Sequence, residues 1–256
     1  MPALRLLGYE IKRVRVEPPE NFICSVENIK IDFPEGYPSN WNCLVLGSYM
    51  NLATEANPAF TLNDFDLLLD LGAHCGVIST WALSQGLDVI SVEALPENIG
   101  LLSSNMARTS SLNSKAKYAI LEAAITADDT EESVEFLLGF SPSTGRLLDV
   151  KERQSYSGGV ILVETVSMRT IVSHDLFKNK AKVIVKFDIE GGEYLFFDEL
   201  LNFCLMSNIL GIFGEFHPKH NCEKHIRFLE KLKDCDFDVV SKVTKSETVE
   251  FFAARV

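Results

Sequence analysis

Three groups of residues in this 256-residue chain have the types and spacing to do chemistry. The first is Asp70-Leu71-Gly72-Ala73-His74-Cys75-Gly76, where the apolar run Asp66 to Leu71 gives way to two glycines four positions apart. An acid at a strand end faces a cation comfortably and repels a pyrophosphate. Gly72 frees the backbone to turn sharply, and Gly76 lets a ligand approach the start of the next helix. The second is Glu93, 17 residues after Gly76 at the end of the run Asp88 to Val92. A carboxylate there accepts both hydroxyls of an adenosine ribose, a role common to nicotinamide dinucleotides and S-adenosylmethionine. The segment lacks G-x-G-x-x-G and the Gly-Lys-Ser/Thr ending of a phosphate loop. Acid, glycine loop and acid in that order therefore favour the cationic sulfonium donor.

The third group is Asp188, Glu190, Glu193, Glu215 and His217. Methyl transfer from a sulfonium needs an acceptor held in line and, for a hydroxyl, somewhere for its proton to go. Asp188 ends the apolar run Lys182 to Phe187, and Glu215 follows the run Ile209 to Gly214, so adjacent parallel strands bring both acids to one rim. Three roles are open. Asp188 and Glu215 hold a Mg²⁺ that acidifies the acceptor hydroxyl, His217 is a general base, or the acids orient the acceptor. Glu193 falls in the first turn of a helix expected over Glu193 to Phe203, where the helix dipole favours a carboxylate whatever the function. Glu190 is left open between structure and chemistry. The stretch His217-Pro218-Lys219-His220-Asn221-Cys222-Glu223-Lys224-His225 holds four ligand-type residues in nine positions but fits no zinc pattern. It reads as a loop running into a capped helix.

From about residue 66 to 256, short β-branched or leucine-rich runs alternate with segments of helical period, the pattern of βαβ units and a mostly parallel sheet. A helix is expected from Val77 to Leu83, and another opens at Pro96 and runs to about Met106. Lys117 to Ala124 reads as the third strand. Between 128 and 166 the period changes to two, with Val134-Glu135-Phe136 and Val160-Ile161-Leu162-Val163 flanking the polar loop Ser141 to Gly159. That is a hairpin or an insertion. Asn221 reads as the cap of a helix burying Ile226, Leu229 and Leu232, and the chain closes in a hairpin of Phe237 to Val240 and Thr248 to Ala254. Residues 1–60, punctuated by Pro18, Pro19, Pro34, Pro38 and Pro58, read as an N-terminal cap or lead-in to a 61–256 domain. Trp41, Tyr49 and Trp81 are open between contact with an acceptor and core or cap packing, with packing the commoner role for aromatics at such positions.

Composition bounds the partners. Twenty-four lysines and arginines stand against 36 aspartates and glutamates, a formal net charge of −12, which repels phosphate backbones and anionic lipid. The expectation is a neutral acceptor or one recognised by shape, with neither nucleic acid nor membrane as partner. With no signal peptide and no run of about 18 apolar residues, the expected location is cytoplasmic. The six cysteines, Cys24, Cys43, Cys75, Cys204, Cys222 and Cys235, contain no CxxC pair and read as reduced thiols.

Leu69-Asp70-Leu71-Gly72-Ala73-His74-Cys75-Gly76, Ser91-Val92-Glu93-Ala94-Leu95-Pro96-Glu97-Asn98 and Lys186-Phe187-Asp188-Ile189-Glu190-Gly191-Gly192-Glu193 together resemble the FkbM-type family of S-adenosylmethionine-dependent methyltransferases. The third segment carries most of the specificity, and the resemblance runs through about residues 66 to 216. It implies the seven-stranded, Rossmann-like class I methyltransferase sheet with a terminal antiparallel hairpin. It also implies O-methylation of hydroxyls on sugars or secondary metabolites. The same resemblance puts Asp70, Gly72 and Gly76 at the methionine end of the cofactor, Glu93 at the ribose, and Ala123 and Ala124 at the adenine, with Ala73, His74, Ala94 and Asp188 also lining the cofactor site. His74 stands where the family usually has Asn, and Ala94 where it often has Pro. The rival expectations are a nicotinamide-dependent oxidoreductase and a cofactor-binding module without turnover.

Overall fold

The computed structural model describes residues 5–6, 9–10, 23–26, 29–34, 36–37, 41–112, 115–130, 132–138, 146–147, 159–217 and 223–255. Two short antiparallel pairs, β1 (Arg5–Leu6) with β2 (Tyr9–Glu10) and β3 (Ile23–Val26) with β4 (Ile29–Asp32), precede α1 (Trp41–Ala56). Then come β5 (Leu67–Leu71), α2 (Val77–Ser84), β6 (Asp88–Glu93), α3 (Pro96–Leu112) and β7 (Tyr118–Glu122). A side excursion follows through β8 (Ala124–Thr126), β9 (Ser133–Leu137), β10 (Arg146–Leu147) and β11 (Val160–Ser167). The chain then re-enters the sheet through α4 (Met168–Ser173), α5 (Asp175–Lys178), β12 (Val183–Phe187), α6 (Phe197–Cys204), β13 (Ile209–Phe216), α7 (Lys224–Lys233), β14 (Phe237–Val243) and β15 (Val249–Arg255).

The main sheet has the order β14-β15-β13-β12-β5-β6-β7. Strands β7, β6, β5, β12 and β13 are mutually parallel, and β15 alone runs antiparallel between β13 and β14. This is the Rossmann-like class I methyltransferase sheet that the sequence implies. Its central strands, Leu-Leu-Leu-Asp-Leu and Val-Ile-Val-Lys-Phe, are buried throughout because helices cover both faces. Leu67, Leu69 and Leu71 join the core with α4, α6 and α7, while Leu68 and Ile184 join the core with α1, α2 and α3. From β5 the chain builds outward to β7, then returns to place β12 on the other side of β5. The order thus reverses between β5 and β12, and the crevice at their carboxyl ends is where such sheets bind ligands.

Helix α1, inside the expected lead-in, packs on the sheet beside β14 and β15. Tyr49 is 1% exposed, with its ring edge-on to Phe213 at 5.0 Å. Lys242 Nζ reaches Ser48 Oγ at 2.9 Å and Glu250 at 2.7 Å, and Ser48 also donates to Glu250. Trp81 is buried in α2, while the side chain of Trp41 lies outside the described residues.

Several local expectations change. The helix expected from Glu193 begins at Phe197, after a 3-10 turn over Gly192–Tyr194, because Glu190 (φ 54°) and Gly191 (φ 92°) turn the chain left-handed first. In α7 the buried residues are Phe228, Leu229 and Leu232, and Ile226 is exposed because it sits about 110° around the helix from that stripe. The third strand ends at Glu122, since Ala123 donates its N–H back to the Glu93 carbonyl and β8 then leaves to pair with β11. The period-two segments do form an antiparallel pair, Val160 opposite Leu137. Most of the Ser141 to Gly159 loop, and Asn221, His220 and Cys222, lie outside the described residues. Cys75 and Cys204 are buried and reduced, and Cys235 is half-buried. Among the described residues no helix is long and apolar enough to cross a membrane.

Candidate functional site

The glycine loop leaves β5 and is tied to β6 at once: Gly72 and Ala73 both donate to the Val92 carbonyl at 2.9 Å. Gly72 has φ +80°, and a Cβ there would fall 2.0 Å from the Asp188 carbonyl oxygen, so the turn passes directly under the exit of β12. Gly76 has φ +84°, and its missing Cβ makes room for Leu102 of α3, 2.5 Å from where that carbon would sit. The second glycine thus serves helix packing, where ligand approach was expected.

Glu93 holds this loop from the next strand. Its Oε2 accepts from the His74 N–H at 2.8 Å, and its Oε1 accepts from the Leu95 N–H at 2.9 Å and Asn98 Nδ2 at 3.3 Å. Burial raises its carboxyl above the ordinary value in spite of these bonds. A carboxylate offers about four acceptor positions, so capacity is left for a ribose hydroxyl. Ala123 and Ala124, 7% and 3% exposed, begin just where Ala123 N–H meets the Glu93 carbonyl, and Ala94 packs beside Leu95.

Asp70 is placed differently from the expectation. Its carboxylate is wholly buried, accepts from Ser79 Oγ at 2.6 Å, and lies 3.3 Å from Lys186 Nζ. Lys186, itself 4% exposed, donates to the Gly72 carbonyl at 2.6 Å and stands 3.9 Å from Asp188. Burial alone would lower its ammonium, but Asp70 and Asp188 outweigh that and hold it charged. Asp70 is thus the inner anchor of a clamp between β5, the loop and β12. A lone lysine in an apolar central strand was the signal for this, because a buried ammonium needs a carboxylate.

His74 has φ 53°, and the Tyr37 hydroxyl meets its Nε2 at 3.2 Å, so the lead-in lies against the glycine loop. Burial, with Lys186 adding to it and Asp188 opposing, lowers the imidazole to about 4. The folded state keeps His74 neutral where the unfolded chain protonates it near 6.5. Its contribution is therefore intact above pH 6.5 and lost as pH falls from there towards 4. The loss at pH 4.5 is about 2–3 kcal/mol. Urea midpoints at pH 7 and 4.5 should fall further apart in the wild type than in His74→Asn, and equal separations would contradict this.

The rim beyond β12 and β13 gathers the third group. Glu193 is fully buried and accepts from the Gly191 N–H at 2.9 Å, the His217 N–H at 2.8 Å and His217 Nδ1 at 3.1 Å. The Tyr194 hydroxyl donates to the His217 carbonyl at 2.8 Å, so the histidine is fixed at backbone and ring. Its Nε2 then faces Glu190 at 3.4 Å, Asp188 at 3.7 Å and Glu215 at 4.0 Å. Glu215 accepts from the buried Tyr49 hydroxyl at 3.1 Å. Burial would lower His217, but the Glu193 hydrogen bond and the charges of Glu193, Asp188 and Glu190 raise it to about 10, so at neutral pH the ring is a cation and not a base. Burial raises Glu215 to about 7, with Asp188 adding to it, and burial likewise raises Glu190 to about 7. Among the described residues, the three whose ligand atoms lie within 4.8 Å of one another are Asp188, Glu190 and His217; Glu215, expected to pair with Asp188 on Mg²⁺, is outside that set. Tyr49 and the positioning role of Glu193 carried no signal in spacing, since both depend on contacts across the fold.

The Methyltransferase FkbM domain model matches residues 70–239. No curated protein matches the chain. Among solved structures, a methyltransferase FkbM from Methylobacillus flagellatus KT is 14% identical over 74% of this chain, with a TM-score of 0.48. This chain spans 44% of that protein's length. The METTL16 methyltransferase domain is 11% identical, with a TM-score of 0.50, over 89% of this chain and 73% of that one. A human methyltransferase 10 domain containing protein is 9% identical over 89% of this chain and 88% of its own, with a TM-score of 0.49. At such identity the structural likeness speaks to the fold, and the family match to the rest. With its glycine loop, its β6 acid and its Lys186-to-Glu193 block all inside the matched region, the chain belongs to the FkbM family of S-adenosylmethionine-dependent methyltransferases.

Proposed function

We propose that the chain transfers a methyl group from S-adenosylmethionine to a hydroxyl of a small molecule or sugar. The observation that carries this is convergence: the Gly72 turn, Glu93, Asp188 and Glu215 all sit at the carboxyl ends of β5, β6, β12 and β13, around the point where strand order reverses. The residues fit the cofactor. Glu93 has acceptor capacity for the ribose, the small Ala123 and Ala124 stand beside it for the adenine, and the half-buried Asp188 offers a carboxylate to the cationic end. When bound, S-adenosylmethionine supplies an electrophilic methyl on a sulfonium.

The chain's own residues supply position and a proton acceptor. Lys186 fixes the loop carbonyl at Gly72 and steadies Asp188, so both sides of the crevice are held by one buried ammonium. Asp188 and Glu190 accept hydrogen bonds from acceptor hydroxyls at the rim. Glu215, steadied by Tyr49, takes the proton of the hydroxyl that is methylated. With Asp188, Glu190 and Glu215 on one side, an anionic acceptor is disfavoured.

Incubating a native extract with the protein and methyl-labelled cofactor, followed by mass spectrometry, tests the acceptor. The expected product carries the label on oxygen of a neutral, hydroxyl-bearing compound. Label on nitrogen or carbon, or on an anionic compound alone, would overturn this reading. Glu215→Gln should lower the rate about 100-fold or more if it takes the proton.

A further inference from the structure

We propose that His217, Asp188 and Glu190 form a binding site for a divalent first-row transition ion. The ligand atoms are His217 Nε2, an oxygen of Asp188 and an oxygen of Glu190, all within 4.8 Å of one another. Nε2 lies 3.4 Å from Glu190 Oε2 and 3.7 Å from Asp188 Oδ1. Those separations are longer than formed hydrogen bonds, which cluster at about 2.7–3.2 Å. The 3.4 Å separation falls within the roughly 3.0–3.5 Å between ligand atoms that share an ion through bonds of about 2.0–2.2 Å, and the 3.7 Å one lies just beyond it.

The imidazole is positioned for such a role, and an ion there takes the place of the proton on Nε2. Its Nδ1 is held by Glu193, a carboxylate with no solvent exposure that also takes the His217 backbone N–H. A buried carboxylate on one ring nitrogen fixes which nitrogen faces outward and raises its basicity, the usual support behind a metal-bound histidine. The Tyr194 hydroxyl on the His217 carbonyl removes the remaining freedom. Asp188 and His217 come from the ends of two adjacent strands, so the sheet itself sets the distance between them. Lys186, the nearby ammonium, lies closer to Asp70 at 3.3 Å and to the Gly72 carbonyl at 2.6 Å than to Asp188 at 3.9 Å.

One imidazole with two carboxylates selects Mn²⁺, Fe²⁺, Co²⁺ or Zn²⁺ over Mg²⁺, which takes oxygen ligands and dehydrates reluctantly. The protein fills three positions, and the others are left to water or to oxygens of the acceptor. An ion there would lower the pKa of a bound hydroxyl beside Glu215. Only that role, not the binding itself, rests on the methyltransferase reading.

The test is titration of the whole chain, without cofactor, with Mn²⁺, Zn²⁺ and Mg²⁺, followed by calorimetry and, for Mn²⁺, by electron paramagnetic resonance. One Mn²⁺ per chain is expected, with Mg²⁺ weaker by at least about tenfold. His217→Ala and Asp188→Asn should each weaken Mn²⁺ about 10–100-fold. Glu190→Gln is the nearly isosteric check should either variant fail to fold. No Mn²⁺ binding at millimolar concentration, or binding unchanged in the folded variants, would overturn the site. S-adenosylhomocysteine is titrated separately: its binding without Mn²⁺ binding sinks this inference alone, and Mn²⁺ binding without it sinks the methyltransferase reading.

Discussion

Lys186→Met should destabilise the protein by about 3–5 kcal/mol, because it leaves the carboxylate of Asp70 buried without its cation. Asp70 has no solvent exposure, and its remaining partner is the Ser79 hydroxyl. The same change removes the donor on the Gly72 carbonyl and the ammonium nearest Asp188, so cofactor affinity should fall with stability. Urea denaturation measures the first effect. The double variant Asp70→Asn, Lys186→Met should recover a large part of the loss, because the stranded charge is gone. If the single and double variants are equally unstable, the ion pair is not what holds β5 to β12.

Gly72→Ala should be strongly destabilising for a single added methyl group. The added carbon would sit 2.0 Å from the Asp188 carbonyl oxygen in a backbone with φ +80°. Neither atom can yield without moving β5 or β12, because Asp188 N–H is bonded to the Leu71 carbonyl at 3.0 Å. Left-handed backbone alone costs a non-glycine residue about 1–2 kcal/mol, and the collision should bring the total above about 3 kcal/mol. Gly191→Ala separates the two effects: φ there is +92°, but a Cβ would meet nothing within 4 Å. Thermal melts should therefore show a much larger fall for Gly72→Ala. Equal falls would mean that backbone conformation, not the close approach, demands the glycine.

The sheet was legible because its strands announce themselves by burial: apart from the paired Asp70 and Lys186, Leu67 to Leu71 and Val183 to Phe187 are apolar on both faces, as a covered parallel strand requires. The site was legible at strand ends, where Glu93, Asp188 and Glu215 follow apolar runs. Side-chain direction was not. Asp70 is the last residue but one of β5, opposite Lys186, and turns inward to it, while Asp188 follows the last residue of β12 and stays at the rim. Period and spacing carry no information on that choice, which depends on the lysine one strand away.

Histidine 217 shows the same limit from the other side. As a lone imidazole near two acids it reads as a base, and the buried Glu193 on its Nδ1, together with Asp188 and Glu190, makes it a held cation. Glu193 in turn looked like a helix-start residue, and the left-handed turn at Glu190 and Gly191 moved the helix away from it. The contribution of α1 was hidden because Tyr49 reaches Glu215 across 166 positions of sequence.

Calorimetric titration with S-adenosylhomocysteine, in the wild type and in Glu93→Gln, tests most directly whether the crevice between β5, β6 and β12 holds this cofactor. Binding at one site per chain in the wild type, weakened at least about tenfold in the variant, is the predicted result. No heat with the wild type at millimolar ligand, or equal affinity in the two proteins, would contradict it.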